Sequence, residues 1–215
     1  MTTLTSPPLA PLLERLFAEA DAPASPQLRA ALADLSPEQR SDYRTFYGAA
    51  RDAYLAVSRE TARLLYMLVR SAAAEAVVEF GTSFGISTLH LAAGLRDNGG
   101  GRLITTEFEP SKAATARENF AAGGLADLIE LREGDALQTL AGDLPERIDV
   151  VLLDGAKNLY PPVLGLLEDH LRPGTLIVAD NADRSPEYLD RVRSTAAGYL
   201  SVPFGDDVEL SMRAG

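Results

Sequence analysis

The chain has 215 residues, 46% of them hydrophobic and 24% charged, with a formal net charge of −11 and no cysteine. That suits one globular α/β domain with a sizeable core plus a helical extension, and it excludes disulfides, zinc thiolates and cysteine nucleophiles. The acidic balance disfavours nucleic acid, whose binding rests on Lys and Arg neutralising phosphates, and no run approaches the roughly 18 apolar residues of a membrane span.

The opening residues, Met1 to Pro8, have neither the basic nor the apolar region of a signal peptide, so a cytoplasmic location is expected. The first third of the chain reads as helical. Pro7, Pro8, Pro11, Pro23 and Pro26 punctuate short amphipathic helices over 9–20 and 26–35. Ser36-Pro37-Glu38-Gln39 is a helix start with proline at the first position, and that helix is predicted to reach Ala56. Ser58 opens a further helix with Leu64, Leu65, Leu68 and Val69 at helical spacing. Residues 1–56 are therefore predicted as an N-terminal helical extension, serving as a lid or a homodimer face, and 57–215 as the main domain.

From residue 76 strands and helices alternate. Strands are predicted at 76–80, 102–106, 128–132, 148–153 and 175–179, with helices over 86–96, 111–122, 136–141 and 160–171. Such alternation argues for a parallel sheet with helices on both faces. Two last strand-like runs, 199–204 and 208–212, are joined by Gly205-Asp206-Asp207, a hairpin signal. The expected fold is α/β and Rossmann-like, a mostly parallel seven-stranded sheet ending in an antiparallel hairpin. His90, inside Leu89-His90-Leu91, and His170, ahead of the Pro173-Gly174 turn, read as structural.

Residues 78–88 are the most informative stretch. Val77, Val78 and Phe80 form a strand signal, Gly81 and Gly85 allow a sharp turn of bare backbone, and Ile86 starts an apolar helix. A strand, a glycine turn and a helix make a corner where amide N–H groups meet a ligand closely. The dinucleotide spacing G-x-G-x-x-G is absent, because Ser83 and Ile86 stand where its second and third glycines belong. Glu79 before the turn suits a cationic ligand rather than a pyrophosphate. The pattern resembles motif I of the S-adenosylmethionine (SAM) methyltransferases, E-x-G-x-x-x-G-x-S. Glu107, at the end of the second strand, is placed to accept ribose hydroxyls, the alternative being a solvated strand-end acid. Asp135 follows the third strand and is placed for the adenine amino group, with the Ala136 N–H near the ring. Ser87 bonds the amino-acid end of the cofactor or caps its own helix.

The fourth strand ends in Asp154-Gly155-Ala156-Lys157 and the fifth in Asp180-Asn181. Ligands of open α/β sheets bind outside the carboxyl ends of strands. Asp154, Asp180 and Asn181 would meet there as hard oxygen donors suited to Mg²⁺, and Lys157 would serve as a base. The bland alternative is that both aspartates cap helices and Lys157 is solvated.

Together these motifs resemble the small metal-dependent O-methyltransferases of the catechol and caffeoyl-coenzyme A type, over about residues 57–212. The resemblance implies a SAM methyltransferase fold and an enzyme that methylates a small phenolic, catechol-like acceptor using SAM and a divalent metal such as Mg²⁺. It assigns Asp154, Asp180 and Asn181 to the metal, and Lys157, with Asp154, to catalysis. Val57, Glu79, Gly81, Thr82, Ser83, Ser87, Glu107, Asp135, Ala136 and Asp154 fall to the cofactor. The chain departs from the pattern in places. Ala156 stands where some members carry a second acid, no Trp is present to wall the acceptor, the 182–198 segment is short, and the first 56 residues match no motif. Three other readings stay open: a hydroxylated tRNA base as acceptor, which the charge opposes; a non-catalytic SAM-binding module, which would need neither Lys157 nor the metal set; and a nicotinamide oxidoreductase, which the missing glycines disfavour.

Overall fold

Five parallel strands form the centre of the molecule, the one at 76–80 buried along its whole length. The computed structural model describes every residue but Asp206, and every side chain but those of Asp206, Ser41 and Thr195. Strands β1 (Ala76–Phe80), β2 (Arg102–Glu107), β3 (Ile129–Glu133), β4 (Ile148–Leu153) and β5 (Leu171–Ala179) pair in parallel. Strand β7 (Val208–Arg213) lies antiparallel between β5 and β6 (Tyr199–Phe204), so the seven-stranded order is β3-β2-β1-β4-β5-β7-β6. The hairpin is where the sequence predicts it, although Asp206 of its turn lies outside the described residues.

Alternation along the strands divides the core. Val77, Leu103, Val150 and Val178 pack into one hydrophobic cluster, while their neighbours Val78, Ile104, Val151 and Ile177 pack into another. Burial on both faces is the mark of a parallel sheet covered by helices. The first cluster takes α1 (Leu9–Asp21), α5 (Arg59–Ser71), α6 (Ile86–Asn98) and α7 (Pro110–Ala122). The second takes α9 (Tyr160–Leu167) and α10 (Pro186–Arg193), with the single turn α8 (Ala136–Thr139) beside them. Leu9 and Leu16 of α1 are fully buried in the same cluster as the sheet.

The extension differs from expectation in one respect. After α2 (Pro26–Ala33), the helix predicted to run to Ala56 is split into α3 (Pro37–Ser41) and α4 (Tyr43–Ala49). Asp42 takes extended backbone (φ −81°, ψ 105°), and its carboxylate accepts from the Thr45 N–H as a helix cap. A short acidic side chain offers the backbone this alternative to continuing the helix. Residues 50–58 then cross toward the sheet edge and end at Ser58, which caps α5 through Thr61 N. Strand β5 also begins earlier than predicted, absorbing Pro173-Gly174 through a register shift against Ile148 and Val150. Among the described residues, no helix is long and apolar enough to cross a membrane.

Candidate functional site

Parallel strands deliver their carboxyl ends to one edge, and the predicted residues gather there in two groups. The first surrounds the glycine turn. Gly81 has φ +104°, and a Cβ on it would lie 2.6 Å from the Asp154 carbonyl oxygen. The turn thus presses against the start of the loop after β4, and only glycine fits. Gly85 (φ +90°) precedes α6, and Ser83 also takes positive φ.

Glu79 lies behind this turn and is wholly buried. Its carboxylate accepts from the hydroxyls of Ser87 (2.6 Å), Thr88 (2.5 Å) and Thr105 (2.6 Å). Burial pushes its carboxyl up to about 7, although the three hydroxyls pull the other way. Thr82 bonds Thr105 through their hydroxyls, and its N–H donates to the Thr106 carbonyl. Glu79 and Thr82 therefore stitch β1, β2 and α6 together beneath the turn.

Glu107, Ser83, Asp135 and Ala136 line one cavity, roofed by Tyr43 and Tyr47 of α4. Glu107 accepts from Ser83 N and Glu109 N, both at 2.8 Å, while burial raises its carboxyl. Asp135 accepts from Leu137 N (3.0 Å), the Tyr43 hydroxyl (2.9 Å) and the Arg44 guanidinium (2.8 Å). Burial alone would raise it, but Arg44 and Tyr43 prevail and hold it below the usual carboxylate range. Val57 is buried in the main core just before α5.

The second group follows β4 and β5. Asp154 and Asp180 lie close enough for their carboxyl groups to hydrogen-bond, and burial raises both; Asp154 adds to the rise at Asp180, whereas Lys157 and the bond with Asp180 pull Asp154 back down. Lys157 Nζ donates to Asp154 Oδ1 (3.0 Å) and to the Tyr160 hydroxyl (2.9 Å). Tyr160 in turn donates to the Asp180 carbonyl (2.7 Å). Asn181 holds a left-handed backbone (φ +47°), and its Nδ2 donates to Asp207 Oδ2 (2.8 Å), leaving the Oδ1 end available.

Among the described residues, no group of three His, Cys, Asp or Glu side chains forms a metal cage. The donor set is two carboxylates and one amide oxygen. Two acids that resist ionising together, with the Lys157 side chain on Asp154 alone of the two, fit a hard divalent cation. Asp154 lines both the cavity of Glu107 and Asp135 and a second cleft, about 630 Å³, that holds Lys157, Asp180 and Asn181.

Sequence reasoning missed five contributors. Tyr160 follows Lys157 by three positions, a signal that was present. Tyr43 and Tyr47 reach the site from the extension, which carries no motif. Asp207 arrives from the hairpin. Lys112 of α7 is 3% exposed, donating to the Ala53 carbonyl (2.9 Å) and weakly to Ser83 Oγ (3.4 Å). It ties the segment after α4 to the glycine turn.

Residues 78–182 match the family described as a methyltransferase domain. The chain is 35% identical over 139 residues to a catechol O-methyltransferase of Niastella koreensis, covering 63% of this chain and 62% of that relative. It is 32% identical over 146 residues to a catechol O-methyltransferase of Sus scrofa, covering 64% of this chain and 77% of that protein. The chain belongs to the SAM-dependent O-methyltransferase family that includes the catechol O-methyltransferases. It spans less than two thirds of the length of the first curated relatives it matches. Among solved structures, it resembles an O-methyltransferase of Streptomyces achromogenes, TomG, in complex with SAM, with 25% identity, a TM-score of 0.68 and 94% and 96% of the two chains covered. The fold is accordingly the Rossmann-like fold of the SAM methyltransferases.

Proposed function

We propose that the chain is a SAM- and divalent-metal-dependent O-methyltransferase that acts on one hydroxyl of a small catechol-like acceptor. The carrying observation is the meeting of two spaces at Asp154: the cavity of Glu107 and Asp135, and the cleft of Lys157, Asp180 and Asn181. A methyl donor in the first and a diol in the second would approach each other there. Such positioning of two reactants is a large part of catalysis in a transfer reaction.

The chain's residues divide the work. Glu107 takes the ribose hydroxyls and Asp135 the adenine side, with Ser83 and the turn amides around them. Asp154, Asp180 and the Asn181 oxygen hold the cation, which when bound supplies Lewis acidity to an acceptor hydroxyl. Lys157, oriented by Asp154 and Tyr160, would accept the hydroxyl proton once in its amine form and pass it to water. SAM, when bound, would supply an electrophilic methyl carbon to the acceptor oxygen that Lys157 has deprotonated, its sulfonium leaving as a neutral thioether.

The test is methyl transfer from labelled SAM to catechol, with Mg²⁺ and after exhaustive chelation. Turnover should need the metal, and Asp154→Ala or Asp180→Ala should abolish metal-stimulated turnover while the circular dichroism stays native. Full activity in the chelated enzyme would overturn the metal assignment.

A further inference from the structure

The cleft that would hold the acceptor is built for more than a bare diol. One end is the acid pair with Lys157 and Asn181. Its walls come from the extension, chiefly Tyr47, Tyr43 and Phe46, in place of the tryptophan the chain lacks. Three cations line it: Lys157, Arg40 and Arg184. Lys157 is committed to Asp154 and Tyr160. Arg40 is committed to the carbonyls of Leu32, Ala33 and Leu35, closing the end of α2.

Arg184 is different. It ends the one-turn helix Ala182–Arg184 that follows Asn181, and it is exposed on the cleft wall. Among the described residues its guanidinium has no hydrogen-bond or ion-pair partner. The side chains of Arg63, Arg147 and Arg172 have no such partner either, but of these arginines Arg184 is the one that lines the cleft. Tyr47 lies within electrostatic reach of both ends. Burial pushes its phenol up to about 12, Asp154 adds to this, and Arg184 opposes it. Tyr47, the acid pair and the free guanidinium therefore line one cleft.

Resting on the methyltransferase reading above, we propose that the acceptor is a catechol bearing a carboxylate, with its diol at Asp154 and Asp180 and its carboxylate on Arg184. A guanidinium is the side chain best shaped for this, because its planar fork matches two carboxylate oxygens. The aromatic wall would cover the acceptor ring between the two polar ends, which is how ligand pockets combine affinity with orientation.

The experiment compares kcat/KM, at saturating SAM and Mg²⁺, for uncharged catechol, three acids and an amine. The acids are 3,4-dihydroxybenzoate, 3,4-dihydroxyphenylacetate and 3,4-dihydroxycinnamate; the amine is 3,4-dihydroxyphenethylamine. At least one acid should exceed catechol by about tenfold or more, the scale of one charge-assisted hydrogen-bonded pair. Arg184→Ala should collapse that ratio, and Arg184→Glu should invert it toward the amine. Calorimetric binding of the best acid, without turnover, should weaken in step. An acid-to-catechol ratio that is the same in the wild type and in Arg184→Glu would overturn the carboxylate site and leave the methyltransferase reading standing. Failure of the wild type to methylate any of the five diols would overturn both.

Discussion

The acids at the ends of β1–β3 and those at the ends of β4–β5 share one sheet edge but not one state. In the first group every carboxylate is already served by the protein. Glu79 has three hydroxyls, Glu107 two backbone amides, and Asp135 an amide, a phenol and a guanidinium. In the second group, Asp154 has the Lys157 ammonium, and Asp180 has little besides Asp154 itself. A buried carboxylate without donors is costly. The first half is thus a finished cradle that offers its remaining lone pairs to a ligand, and the second is a charge imbalance that a cation would relieve. The contrast separates shape recognition from chemistry on one edge.

The contrast would break most visibly at Lys157. Lys157→Ala should lower the methylation rate by about 10²–10⁴-fold, the usual worth of a general base. SAM affinity should barely change, because the lysine lines the acceptor cleft and not the cofactor cavity. A nitrocatechol, whose hydroxyl is already acidic, should lose less. Equal losses across diols of different acidity would instead make Lys157 a positioning group, and wild-type rates in the variant would make it a surface lysine.

The cradle half should respond in the opposite sense, in binding rather than rate. Glu107→Ala should weaken SAM binding by roughly 1.5–3 kcal/mol, the scale of hydrogen bonds to a charged group. The same variant also frees the Ser83 and Glu109 amides, so Glu107→Gln is the companion that keeps an acceptor for one of them. Unchanged calorimetric affinity in both variants would remove Glu107 from the cofactor site.

Much of this edge was legible because strand ends carry their residues in sequence order. The apolar runs at 76–80 and 148–153 fix two strands to the residue, and the polar residue after each must then emerge at the carboxyl end. Glycine chemistry at Gly81 and Gly85 is equally local. What could not be read depends on chain returning from far away. The helix from Ser36 was over-extended because the cap at Asp42 competes only weakly on paper, yet that break is what aims Tyr43 and Arg44 at Asp135, about 90 residues on. Lys112 reads as one more surface lysine on α7, and only the fold shows it buried against Ala53. The cleft beside Asp154 is walled largely by the tyrosines of α4, which no motif marks, with Arg184 from the short 182–198 segment.

A smaller effect should sharpen the second half. Asp207 holds the Asn181 amide nitrogen at 2.8 Å, and the preceding link runs from Ala182 N to the Asp207 carbonyl. Fixing the nitrogen end leaves the oxygen end for the cation. Partners behind a ligand typically matter by about 10–100-fold in metal affinity. Asp207→Ala should therefore weaken Mn²⁺ binding, followed by electron paramagnetic resonance, with SAM binding unaltered. Equal Mn²⁺ affinity in the variant would show that Asn181 needs no such orientation.

The smallest effect probes the scaffold beneath the cradle. His90 of α6 is 4% exposed, stacks edge-on with Phe17, and pairs through Nδ1 with the Ile86 carbonyl at 2.8 Å. Burial lowers its imidazole from 6.5 to about 4. The sign follows from which state binds the proton. Between those two values the unfolded chain takes up a proton that the folded chain refuses, so stability falls as pH drops from 6.5 toward 4. His90→Gln keeps a donor for Ile86 and removes the titration. Moving from about pH 7.5 to about pH 5.5, the wild type should lose about 1 kcal/mol more than the variant in urea unfolding. Glu79, raised to about 7, works against this trend, since its stabilising protonated form is lost as pH rises. It is present in both proteins, so its contribution cancels in the difference. Parallel pH profiles for the two proteins would mean that His90 is protonated in the fold, and the α6 side of the cradle would then be wetter than its burial implies.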